Sequence, residues 1–290
     1  MADKTTRWII GCGSGCGVLV LIAVIIGVGA TLKLRSLFED IEGAKQSWTI
    51  LVESQGDVAD WTPPTDGHIP LDRLHVFLAA RERMIAAQSE ARPALENFPP
   101  DEFNEQAQSW RTLWKSMGAM GDLVPPLARY VEARHHILAE LNMGPGEYGW
   151  IYTVAYHAWL GHDPGDGPTV VKDGHPDFGE PVFDAEQGSF GSQSTLIRQR
   201  EMMMTLLGNW LRAVRADPDF GSESSMYREL TAEVLRLDAD PGSMLWPEGI
   251  PAPVAKSLEP LRNQFLQTYI PHFNPFEYPL GNNWSWDQED

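Results

Sequence analysis

Residues 8–32 read WIIGCGSGCGVLVLIAVIIGVGATL, 25 positions without one charged side chain. As an α-helix this stretch is roughly 37 Å long. A hydrocarbon core is about 30 Å thick, so the segment can span it with some tilt. The run predicts a transmembrane helix over 8–33 and sets the frame for the rest of the chain. Two other readings are weaker. Val28-Gly29-Ala30 has the small-residue spacing of a signal-peptide cleavage site, but the apolar run is long for a signal peptide. Ile9-Ile10-Gly11-Cys12 looks like a lipobox, yet it precedes the apolar region instead of following it.

The first half of the span is built of small residues. Gly11 with Gly15 and Gly13 with Gly17 form two G-x-x-x-G pairs, and Ala23 with Gly27 continues the pattern. Small residues four apart let a second helix approach closely in lipid, where packing drives association. Gly11, Gly13, Gly15, Gly17, Ala23 and Gly27 are therefore the expected intramembrane interface. Cys12 and Cys16 share that face as packing residues. Two thiols cannot hold a structural metal alone, and no C-x-x-C-H haem signature is present.

Charge around the span sets an expected orientation. Lys4 and Arg7 precede it, while Lys33, Arg35 and Lys45 follow. Basic residues beside the chain start mark the cytoplasmic side. Residues 1–7 are expected in the cytoplasm and the large domain on the periplasmic side of the cell (inner) membrane. The 290 residues carry 40 acidic and 22 basic side chains, a formal charge of −18. Residues 34–290 alone hold 39 acidic against 19 basic, and no cysteine. Such a balance argues against nucleic acid as a partner. With 43% hydrophobic residues, the composition also excludes wholesale disorder.

Beyond the span the helical period continues. Leu34, Leu37, Phe38, Ile41, Ala44, Trp48 and Leu51 keep three- and four-residue spacing, and no proline intervenes before Trp61. One helix is expected to leave the bilayer and pack into the outer domain. Thr62 to Gly67 is a loop by its Pro and Gly content. Pro70-Leu71-Asp72 opens a helix with Leu74, Phe77, Leu78, Arg81 and Ile85 on its stripe. Pro99-Pro100 opens another, with Phe103, Ala107, Trp110, Trp114, Met117 and Met120. Pro125-Pro126 is read as opening a third, carrying Leu127, Tyr130, Val131, Arg134, Ile137 and Leu141. Pro145-Gly146 opens a fourth, with Tyr148, Ile151, Val154, Ala155 and Trp159. Residues 161–192 are crowded with Gly, Pro and Asp and read as a long irregular insertion. Helical spacing returns over 193–215 and 224–237. It returns once more over 251–269, with a bend at Pro260. The domain 34–270 is thus expected to be a helical bundle. Residues 271–290, PHFNPFEYPLGNNWSWDQED, are expected to be an extended aromatic and acidic tail, in which Trp284 and Trp286 have no stripe to join and suit an interface, either with the tail's own domain or with a partner.

No spacing signals a reaction. His157, His162, Asp163 and Asp166 are weak metal donors, because Gly161 and Pro164 break the helix that H-E-x-x-H geometry needs. Asp163, Asp166, Asp173 and Asp177 are oxygen donors suited to Ca²⁺, without EF-hand spacing. Adjacent His135 and His136 point about 100° apart, one toward the core and one toward solvent. There is no G-x-S-x-G elbow, Walker loop or dinucleotide fingerprint after a strand pattern. Paired acids such as Asp101 and Glu102 sit at a helix start, where they offset the dipole. The sequence thus reads as a mainly α, single-pass, non-catalytic accessory subunit without a cofactor. Its expected partners are other membrane subunits and the bilayer. The competing reading is an anchored extracytoplasmic protein that binds a ligand or Ca²⁺.

Overall fold

The structure is a computed structural model that describes residues 39–93, 110–167, 192–240 and 244–278. The transmembrane stretch 8–33, its small-residue face, most of the 161–192 insertion, and Trp284 and Trp286 lie outside the described residues. No helix among the described residues is long and apolar enough to cross a membrane.

The described residues are mainly helical, with no strand among them. Helix α1 covers residues 39–55. It packs Leu51 fully into the core and sets Ser47 Oγ 2.9 Å from His135 Nδ1. Gly56, at φ +80°, ends it. Asp57 then caps a 3₁₀ turn, Val58–Asp60, through a reciprocal capping box. The following loop is clasped by Asn209 Nδ2, which donates to the carbonyls of Ala59 and Trp61 at 2.9 and 2.8 Å.

Helix α2, Leu71–Ala87, buries Leu74, Phe77, Leu78, Ala80, Arg81 and Met84. Helix α3 runs unbroken over Trp110–Glu140, with Pro125 and Pro126 inside it. This corrects the expected helix start at Pro125-Pro126. A first-turn proline and an interior proline read alike in sequence. The second half of the helix is anchored by the buried stripe of Tyr130, Val131, Arg134, Ile137 and Leu138, and each proline removes one backbone donor from the helix. Helix α4, Pro145–Tyr152, begins with Pro at its first turn, as its sequence predicts. It then widens into a π-helix, Thr153–Trp159.

Helices α5, Ser192–Ala216, and α6, Ser225–Ala239, pair with each other. Ser224 Oγ caps α6 by accepting from Tyr227 N at 3.1 Å. Helix α7, Ala252–Leu258, and helix α8, Arg262–Thr268, are separated by a 3₁₀ turn at Glu259–Leu261, so the expected break at Pro260 is present. Residues 271–276 form a further 3₁₀ helix instead of the expected extended start to the tail. Proline tolerates a first turn, and Phe273, Asn274, Pro275, Glu277 and Tyr278 are buried in the core. The segment is a core element, and this burial outweighs the extended preference of its prolines.

Aromatic side chains make up much of that core. Trp150 meets Trp210 at 5.1 Å and Trp246 at 5.9 Å, both edge to face. Phe77 packs on Tyr148 at 5.2 Å and Phe265 at 5.8 Å. Such pairs add about 0.5–1.5 kcal/mol beyond the area they bury.

Candidate functional site

The strongest concentration of polar chemistry among the described residues lies inside the domain. Helix α2 supplies Arg81, α3 supplies Tyr130 and Arg134, α4 supplies Tyr148, and the C-terminal segment supplies Glu277. Both partners of the Arg81–Glu277 ion pair are fully buried. Arg81 NH1 donates to Glu277 Oε1 and, at 2.8 Å, to Tyr148 Oη. Its Nε and NH2 reach the Thr268 carbonyl at 3.3 and 3.0 Å. Arg134 NH2 donates to the Glu277 carbonyl at 2.5 Å, and its Nε stands 3.6 Å from Glu277 Oε2. Tyr148 donates to Glu277 Oε2 at 2.6 Å and Tyr130 to Oε1 at 3.0 Å.

Burial opposes the charge on Glu277, but Arg81 and then Arg134 outweigh it and hold the carboxyl below its usual range. Burial likewise opposes the charge on Arg81, yet the attraction of Glu277 leaves it well above the ordinary value. Burial pushes Tyr130, Tyr148, Tyr152 and Tyr156 upward, so they remain phenols that donate hydrogen bonds. This is a sealed ion cluster whose carboxylate is saturated with donors. No reacting group could reach it without opening the domain.

The sequence-derived metal donors lie at a neighbouring corner and do not converge. His157, on the π-helix, is buried. Its Nδ1 stands 2.9 Å from the His162 carbonyl and its Nε2 3.1 Å from Asn274 Oδ1. Neither nitrogen is left for a metal. Burial pushes its pKa down to about 4, with hydrogen bonds to His162 and Asn274 opposing. The His162 ring is engaged differently, stacking on Tyr269 at 4.0 Å with the planes 8° apart. Asp163 Oδ1 accepts from Gly165 N at 2.7 Å, and Asp166 Oδ2 accepts from Tyr269 Oη at 2.7 Å. Among the described residues no group of three or more His, Cys, Asp or Glu could hold a metal ion. Asp173 and Asp177 lie outside the described residues. His135 and His136 divide as expected, one buried and one exposed.

One surface cleft, of about 310 Å³, opens over Trp150 and Ile69, between Trp61, Pro64, Arg73 and Glu147. Arg73 closes on Glu147 bidentately, Nε to Oε1 at 2.7 Å and NH2 to Oε2 at 2.5 Å. Both carboxylate oxygens are therefore occupied, and the hydrogen bond to Glu147 raises the arginine pKa.

Comparison with family models, with curated proteins and with solved structures found no match. The residues that organise the interior, Arg81, Arg134, Asn274 and Glu277, are not singled out by sequence reasoning. A signal was present for two of them. Arg81 and Arg134 each fall on an apolar helix stripe, where a charge must find a counter-ion.

Proposed function

We propose that the protein is a single-pass, membrane-anchored accessory subunit of a larger membrane complex, with its helical domain outside the cytoplasm. One observation carries this reading. The charge-free stretch 8–32, with its small-residue face, precedes helix 39–55, which is packed into the domain core through Leu51 and Ser47. A helix docked this way would fix the domain's attitude to the membrane, as a subunit wedged among partners requires. A respiratory or photosynthetic electron-transport complex is one host that recruits single-pass subunits.

The test is gentle solubilisation of membranes, capture of the tagged chain and identification of co-purifying proteins. A defined set of integral membrane subunits is expected, and Gly13→Leu with Gly17→Leu should deplete it while leaving thermal unfolding of the domain unchanged. A chain that migrates alone and crosslinks to nothing would overturn the proposal. The cleft over Trp150 favours a second reading, an anchored extracytoplasmic ligand-binding protein; a Ca²⁺-binding form of that reading rests on the aspartates of the 161–192 insertion. Equilibrium dialysis with Ca²⁺ tests its metal arm.

A further inference from the structure

The cluster around Glu277 does not balance in charge. Arg81, Arg134 and Glu277 are all buried, with Arg134 the most open of the three at 2%. Two guanidiniums thus share one carboxylate. Among the described residues, Glu277 is the sole carboxylate paired with either arginine. The tyrosines cannot supply the missing charge, because burial keeps Tyr130 and Tyr148 as neutral phenols. Arginine keeps its proton at any ordinary pH. One unit of positive charge is therefore left inside the domain, where an uncompensated ion is costly.

The excess falls on Arg134. Arg81 directs its donors at Glu277, Tyr148 and the Thr268 carbonyl. Arg134 is less well served. Its NH2 donates to the Glu277 carbonyl, but its Nε stands 3.6 Å from Oε2, too far for a hydrogen bond. That Nε is sealed without an acceptor. NH1 points away from the Nε–NH2 edge and bonds to no described residue. Unlike Nε it is not closed off, so there is room beside it. The surroundings add further unanswered donors. The Glu277 carbonyl leads into Tyr278, whose buried hydroxyl lies beside Thr153 Oγ1, and neither oxygen completes a hydrogen bond. Burial lowers the pKa of Arg198 on α5, and repulsion from Arg134 adds to it.

We propose that the Arg134 side of the cluster binds one small monovalent anion, of the chloride class, taken up as the domain closes. A single negative charge completes the buried set of two guanidiniums and one carboxylate. A divalent oxyanion overshoots it by one and needs more room than a side chain 98% buried leaves. The aromatic wall suits a weakly hydrated halide, since Arg134 lies over the Tyr148 ring at 5.0 Å. An anion held by the folded chain alone lowers the unfolding constant about tenfold for each tenfold rise in its concentration above the dissociation constant.

The test is urea unfolding of the full chain in detergent at pH 7 and fixed ionic strength, with sodium chloride replacing sodium sulfate stepwise. Sulfate strengthens folding generally, so a non-specific salt response would lower the midpoint as chloride rises. The midpoint should instead climb, with the unfolding constant falling about tenfold per tenfold rise in chloride once the site fills. Arg134→Met removes the excess charge and should abolish the climb, whereas Arg83→Met, at the surface, should keep it. Crystals of the wild-type protein grown in sodium bromide give a readout that needs no variant. They should show an anomalous peak beside Arg134 NH1. Three outcomes each overturn the proposal: a midpoint that falls or stays level as chloride replaces sulfate, a climb that survives in Arg134→Met, or bromide crystals without a peak at Arg134.

Discussion

At the scale of single residues, Glu277 holds the most. Two arginines and two tyrosines converge on the two oxygens and the carbonyl of this one residue. Removing one partner of a buried ion pair leaves the other uncompensated, a loss of about 3–5 kcal/mol. Arg81→Met should therefore cost more than replacing a surface arginine such as Arg83, whose pairing with Glu140 is exposed. Surface pairs contribute about 0–1 kcal/mol. Urea unfolding of the two variants compares them directly, and equal midpoints would contradict the assignment. This cluster was half legible in the sequence. Arg81 and Arg134 each interrupt an apolar stripe, a signal that a buried charge needs a counter-ion, although it was not read that way. Glu277 gives no such signal, because it sits among prolines in a stretch that looks like a solvent-facing tail, and its partner Arg81 is 196 residues away.

At the scale of elements, periodicity located most helices, and the misreadings have identifiable causes. Pro125-Pro126 carries the composition of a helix start, and only tertiary packing distinguishes a start from a tolerated interior pair. The π-helix was hidden because its residues continue an apolar run, so one additional residue per turn leaves no mark in the pattern. The glycines of α4 offer a sharper check on packing. A Cβ on Gly146 would stand 2.8 Å from Trp61 Cβ and 3.1 Å from the Val58 carbonyl, whereas one on Gly149 would meet the Met202 side chain. Backbone and a Cβ cannot step aside, but a methionine can change rotamer. Gly146→Ala should cost about 1–3 kcal/mol, the usual range for overpacking, and Gly149→Ala distinctly less. Thermal unfolding of both variants measures the difference, and the reverse order would show that the 58–61 turn gives way more easily than α5.

At the scale of the whole molecule, the helical class and the packing of 39–55 into the core follow from the pattern of apolar residues alone. What the pattern omits is the use of residues 271–278, since their burial depends on partners contributed by α2, α3 and α4. The interior also dictates an acid response. Burial, with Arg134 adding repulsion, lowers His135 to about 3. The unfolded chain therefore takes up a proton more readily than the fold does. The stability this withholding represents is intact above about 6.5 and is lost as pH falls from there toward 3, by up to about 1.4 kcal/mol per pH unit. Glu277, held low, loses its contribution further down, as pH falls from the ordinary carboxylate range through its folded value. Chemical unfolding at pH 7, 6, 5 and 4 should show declining stability, with a flatter slope between 6 and 4 in His135→Asn. An unchanged slope would mean that His135 is already solvated.

The position of Glu277 also bears on how the chain is born. Arg81 and Arg134 leave the ribosome long before the carboxylate they share has been made. Until residue 277 emerges, the helices already synthesised cannot close over two bare guanidinium groups without paying for their desolvation. The nascent domain must wait in an open state, its apolar faces exposed to whatever chaperone attends it. Closing contacts across nearly two hundred residues is moreover a slow step. Truncation before residue 277 would therefore leave an unfinished fold rather than a slightly shorter one.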